Sequence, residues 1–118
     1  MLEINSKNSM KLALNVLKVI ERHTIDNPIK GHVLAEMFNT SWRTIADVIE
    51  ILRDCGYKVG SNKSNPMGYF IARNPEELLD TTLHMEEMAK KILSRINKMR
   101  KWDQTNPTIF EQEVDEEI

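Results

Sequence analysis

The sequence predicts a mainly α-helical protein that carries one small β-hairpin and ends in a long C-terminal helix. Three observations lead there. Apolar residues recur at helical spacing in three stretches, over 9–23, 29–55 and 75–102. Between the last two, residues 57–72 change to short β-branched and aromatic runs around a turn-rich loop. The chain has 118 residues, 41% hydrophobic and 29% charged, which suits one globular domain with an extension.

Residues 1–8 read as irregular. From Ser9 to about His23, Met10, Ala13, Leu14, Leu17 and Ile20 form one apolar stripe, widened by Leu12, Val16 and Val19. Lys11, Asn15, Lys18 and Arg22 share the only polar face. A helix apolar on most of its circumference must be covered on several sides, so this one is the expected support of the domain. Asp26-Asn27-Pro28 ends it in a turn, and Pro28-Ile29 is short enough for only a minimal strand.

Residues 29–51, IKGHVLAEMFNTSWRTIADVIEI, organise the rest. Val33, Leu34, Ala35, Met37 and Phe38 make a first short helix, and Ile45, Val48, Ile49 and Leu52 the inner side of a second. Ala35 is small where two helices must approach. Asn39, four residues on, tolerates the left-handed conformation of a sharp turn. This spacing is the helix-turn-helix pattern, whose second helix enters the DNA major groove.

Ser41 is placed to cap that second helix. Trp42, Arg43, Thr44 and Asp47 lie away from its apolar side. Arg43 can pair with guanine through two hydrogen bonds, and Thr44 can reach a base or a phosphate. The competing reading is a plain helical hairpin with a solvated arginine. Lys30 stands where a Ser or Thr cap is usual; its amine cannot accept the capping bond but can reach a phosphate, or simply face solvent.

The second helix is expected to end at Cys55-Gly56, with Gly56 as its C-terminal cap. Tyr57-Lys58-Val59 alternates, residues 60–67 form a polar loop, and Gly68-Tyr69-Phe70-Ile71-Ala72 reads as a strand. Two strands joined by a lysine-bearing loop directly after a helix-turn-helix make a wing. Lys58, Ser61, Asn62, Lys63 and Ser64 are then placed to touch the DNA backbone or minor groove, or to form a solvated hairpin tip.

The run GHVLAEMFNTSWRTIADVIEILRDCGYKV, followed by GYFIA, resembles the winged helix-turn-helix at the start of biotin-ligase repressors and of small bacterial and phage regulators. The shared features are Gly31, Ala35, Ser41, Ile45, Leu52-Arg53-Asp54, Gly56 and Gly68-Tyr69, and the likeness covers roughly residues 10–73. It implies a winged helix-turn-helix fold and double-stranded DNA binding through the helix over 41–55 and the wing. Asn39 at the turn, Lys30 at the cap and Trp42 among the base-reading positions depart from the pattern. These 118 residues hold nothing that reads as a ligase domain, so nothing about biotin is expected to carry over.

Asn74-Pro75-Glu76-Glu77 is a strong helix start: a cap, a proline at the first helical position, and a glutamate at capping-box spacing. No breaker follows until Pro107, so this helix is expected to reach about Trp102, ~42 Å in length. Leu78, Thr82, Met85, Ala89, Ile92, Ile96 and Met99 alternate four and three residues apart, a heptad seam broadened by Leu79, Leu83, Met88 and Leu93. Leu78, Met85, Ala89, Ile92, Ile96 and Met99 are therefore expected to carry homodimerisation; the plain alternative is a helix folded back on its own domain. Carboxylates occupy its first half and Lys90, Lys91, Arg95, Lys98, Arg100 and Lys101 its second, an order that suits the helix dipole. Two such helices side by side in antiparallel would also match acid to base.

The expected organisation is a winged domain over 9–73, a long helix over 74–102 and an acidic, disordered tail over 103–118. The tail holds six of the eighteen acidic residues and no basic one, which leaves sixteen basic against twelve acidic over 1–102, about +4 within a chain of net charge −2. Its sparse apolar residues, Ile109, Phe110 and Val114, are candidates to anchor it to a protein partner or to the domain surface.

Enzyme chemistry finds little support. His23, His32, His84 and Cys55 lack metal-ligand spacing, and no phosphate-binding, dinucleotide or nucleophile motif occurs, so neither a metal nor a cofactor is expected. No apolar run approaches the ~20 residues of a membrane span, and no secretory cleavage pattern opens the chain, so a cytoplasmic protein without a membrane partner is expected. Two functions remain: a sequence-specific DNA-binding regulator, or a winged-helix module for protein assembly in replication or DNA packaging.

Overall fold

The computed structural model describes residues 2–102, with side chains from residue 8 onward. Its elements run α1 (Leu2–Ile20), α2 (Gly31–Met37), α3 (Trp42–Asp54), β1 (Val59–Asn62), β2 (Gly68–Ile71) and α4 (Pro75–Arg100). This is a winged helix-turn-helix layout followed by a long helix. The chain divides into two compact units, Met1–Leu83 and His84–Ile118, and the boundary falls inside α4.

α1 begins seven residues before the expected Ser9, within the stretch read as irregular. Asn5, Ser6 and Asn8 are weak helix formers, but propensity is a small term and neither Gly nor Pro interrupts the run, so an established helix propagates through them. α1 also ends at Ile20 rather than His23. There the Arg22 and His23 N–H groups bond to the Val19 and Ile20 carbonyls three residues back, tightening the chain into a turn.

The core of the first unit lies where α1, α2 and α3 meet the hairpin. Val16 and Ile20 of α1, Leu34 of α2, Ile45, Ile49 and Leu52 of α3, Val59 of β1 and Phe70 of β2 are all almost inaccessible. Burying each such side chain contributes ~1.5–3 kcal/mol relative to exposure, so the inner stripe of α3 fixes its rotation about its own axis. Among the described residues no buried side-chain nitrogen or oxygen lacks a hydrogen-bond partner.

The break between α2 and α3 follows the expected chemistry. Asn39 sits at φ 52. Its N–H reaches the Glu36 carbonyl at 3.2 Å and the Thr40 N–H reaches the Ala35 carbonyl at 2.9 Å, the paired bonds of a left-handed helix stop. The same pair ends α3, where Gly56 at φ 92 bonds back to Arg53 and Tyr57 to Leu52.

β1 and β2 pair antiparallel, with Gly60 opposite Phe70 and Ser61 opposite Tyr69. β1 starts at Val59, so Gly60, Ser61 and Asn62, expected in the loop, are strand residues. Gly60 reads as a turn glycine in sequence, but here it makes room: a Cβ on it would lie 2.4 Å from the Phe70 ring. Pro28-Ile29 does supply a minimal third strand, because Ile29 and Tyr69 exchange N–H to carbonyl bonds at 2.9 and 2.7 Å.

In α4, residues 75–83 belong to the first unit. Asn74 caps the helix by accepting the Glu77 N–H at 3.0 Å. The Glu77 carboxylate accepts from the Arg73 N–H at 2.8 Å rather than from the cap residue itself, a shifted form of the expected box. From His84 the second unit is helical to Arg100. The expected acidic tail over 103–118 lies outside the described residues.

Candidate nucleic-acid interface

α3 carries the expected surface. Its inner stripe is buried, and Arg43, Asp47, Glu50 and Asp54, spaced four, three and four residues apart, are all exposed. They therefore form one outward ridge. Arg43, in the first turn, makes no side-chain hydrogen bond or ion pair with any described residue. Trp42 at the helix start is 65% exposed, an unusual placement for an indole.

Ser41 acts as the expected cap: its Oγ accepts the Thr44 N–H at 3.1 Å and lies 3.0 Å from the Thr44 Oγ1. Thr44 is half-buried and its hydroxyl is engaged there, so Arg43 and Trp42 are the more open groups of this turn. Lys30 occupies the cap position of α2 without a side-chain bond, leaving its exposed amine unpartnered by the described residues.

Polar bonds tie both edges of the hairpin to the elements around it. Val59 and Ser61 turn their backbone groups away from β2. Arg53, on the inner flank of α3, donates from Nε to the Val59 carbonyl at 2.8 Å and reaches the Ser61 Oγ at 3.4 Å. Thr81 of α4, buried, accepts the Ser61 N–H at 3.1 Å and donates back to the Ser61 carbonyl at 3.4 Å. The other edge, on β2, is taken by Ile29 and by the His23 carbonyl, which accepts the Ile71 N–H at 3.2 Å. Neither edge is left open to another strand. Burial pushes the Arg53 pKa down from its ordinary value, partly offset by Tyr69 and Glu50.

Of the expected wing contacts, Lys58 and Lys63 are exposed. Asn62 is half-buried and spends its amide on the Ile25 carbonyl at 2.9 Å, tying β1 to the turn after α1. It is a structural residue at the loop end of the hairpin, opposite Gly68. In the sequence Arg53 stands only within the Leu52-Arg53-Asp54 likeness, and Thr81 carries no local signal. Their role appears only once the strand edge facing them is placed.

In the first unit, Leu78 of the expected seam is half-buried. In the second, Met85, Ala89, Ile92 and Met99 are exposed and Ile96 is half-buried. Among the described residues no helix is long and apolar enough to cross a membrane, and no group of three or more His, Cys, Asp or Glu is placed to hold a metal ion. No protein-family model matches the chain, and comparison with curated proteins finds no significant match.

Proposed function

We propose that this chain is a sequence-specific double-stranded DNA-binding protein, a small transcriptional regulator of bacterial or phage type. In this reading the helix over 41–55 enters the major groove and the hairpin lies along the backbone. The observation that supports it best is the first turn of α3: an exposed Arg43 with no partner among the described residues, beside an exposed Trp42, on a helix whose inner stripe is locked into the core. Recognition helices contact base edges with their N-terminal residues, and a positioned arginine is the commonest reader of guanine. Lys30, Lys58 and Lys63 supply exposed cations for the phosphates. A homodimer through α4 would present two such heads to paired half-sites.

The test is a mobility-shift titration of a selected duplex and a random duplex at several salt concentrations. Arg43→Ala should weaken specific binding by ~1–3 kcal/mol and relax preference at one base pair. Lys63→Ala should weaken both duplexes alike and lower the salt slope by about one unit. Unchanged affinity and preference in Arg43→Ala refute the placement of α3.

The second reading is a protein-assembly module, and one observation favours it. Three of the four residues on the outward ridge of α3, Asp47, Glu50 and Asp54, are exposed carboxylates, which phosphates repel and a basic protein surface attracts. On this reading neither duplex is retarded at low salt.

A further inference from the structure

The second unit carries an apolar face that its own described residues leave open. Met85 is 48% exposed, Met88 51%, Ile92 47%, Leu93 58% and Met99 68%. We propose that this face pairs with a second copy of itself in antiparallel orientation, in a register that sets Glu86 of one helix against Arg100 of the other. The inference rests on the α4 homodimer named above and adds its orientation and register; it is independent of DNA.

Charge decides the orientation. Met85, Ala89, Ile92, Ile96 and Met99 form the seam, and two rows at seven-residue spacing flank it. Glu86, Leu93 and Arg100 lie on one side, Met88 and Arg95 on the other. In an antiparallel pair each row meets its own copy reversed. The first row reads acid, apolar, base, so reversal makes it complementary to itself: Glu86 meets Arg100, Leu93 meets Leu93, and Arg100 meets Glu86. The same register stacks Ala89 on Met99, a small residue against a long one, and Ile92 on Ile96. Its one like-charge contact is Arg95 beside Arg95 at the two-fold axis.

A parallel pair in register does the reverse. Each row then meets the opposite row, which brings Arg95 against Arg100 twice and matches no acid with a base. It also lays the two basic halves, with Lys90, Lys91, Lys98 and Lys101, alongside each other. Glu86 lies 3.6 Å from Lys90 of its own helix, but both side chains are more than half exposed, and a carboxylate has lone pairs for a second cation.

Cysteine pairing reads the register directly. In a Cys55→Ser background, Ala89→Cys and Met99→Cys chains are oxidised separately and after mixing. Seam positions facing each other come within disulfide reach, while residue 89 and its own copy would stand ~15 Å apart along the antiparallel pair. The expected result is a disulfide dimer in the mixture alone. Dimers in the separate samples overturn the orientation but leave the homodimer standing, and a dimeric mass without any link overturns the register. A wild-type protein that sediments as a monomer at tens of micromolar overturns the homodimer and this inference together. Glu86→Arg should weaken dimerisation about ten-fold, since two opposite-charge contacts become two like ones. Adding Arg100→Glu to the same chain should restore it, and a dissociation constant that neither change moves refutes the pairing.

Discussion

Replacing Arg53 by Met removes the guanidinium that joins α3 to β1 while keeping most of its apolar stem against the domain. The Nε–H to Val59 carbonyl bond is short, at 2.8 Å, whereas the Ser61 Oγ contact at 3.4 Å is at the limit of hydrogen bonding and counts for little. A hydrogen bond from a charged donor contributes ~1.5–3 kcal/mol, and the lower end applies to a half-buried side chain. The Val59 carbonyl left unpaired adds ~1 kcal/mol. Against this, the desolvation that lowers the Arg53 pKa is relieved, which returns part of that sum. The net loss is about 2 kcal/mol. At ~4–8 °C per kcal/mol for a domain of this size, the melting midpoint should fall by roughly 10 °C, followed by circular dichroism at 222 nm. Arg53→Lys should recover only part, because an ammonium lacks the planar fork. A midpoint for Arg53→Met within ~2 °C of wild type refutes the view that this side chain holds the hairpin to α3.

Three further outcomes are expected. Gly68→Ala should be far more damaging than Gly56→Ala in urea unfolding, although both glycines have positive φ: a Cβ on Gly68 would lie 2.5 Å from the Ile29 carbonyl oxygen, while one on Gly56 meets nothing within 4 Å. The latter pays only the left-handed backbone penalty, ~1–2 kcal/mol, so equal losses contradict the steric account. Ser41→Ala should cost ~1 kcal/mol through the lost Thr44 N–H bond, and a neutral result in the same assay removes Ser41 as a cap. The Glu77 carboxyl is held below its ordinary pKa by the Arg73 side chain and then by the Arg73 backbone N–H. A lowered folded pKa contributes stability above the ordinary carboxylate range and loses it as pH falls through the lowered value. The gap in melting midpoint between wild type and Glu77→Gln should therefore be largest near neutral pH and close on acidification; a gap that widens in acid has the sign wrong.

The helices and their stops were legible residue by residue because their causes are local. Asn39 and Gly56 tolerate the left-handed backbone, Ser41 and Asn74 have the oxygen a helix start needs, and the spacing of Ile45, Val48, Ile49 and Leu52 allows only one buried side. The reach of α1 back to Leu2 and the start of β1 at Val59 are not legible in the sequence, because weak propensities and a lone glycine look the same in a loop as in an element whose neighbours support it. Lys30, Arg43 and Trp42, outward-facing by the sequence pattern, stand exposed. Asn62 has the look of a DNA contact in sequence but spends its amide on the Ile25 carbonyl. What only the tertiary structure decided is how the hairpin is held: Thr81, Asn62 and Ile29 each satisfy a strand or turn group distant in sequence, and Arg53 bridges the turn from α3 to the Val59 carbonyl. Periodicity sorts side chains into inside and outside, but a hydrogen bond depends on a direction and a distance of about 3 Å, and those exist only after the elements have packed.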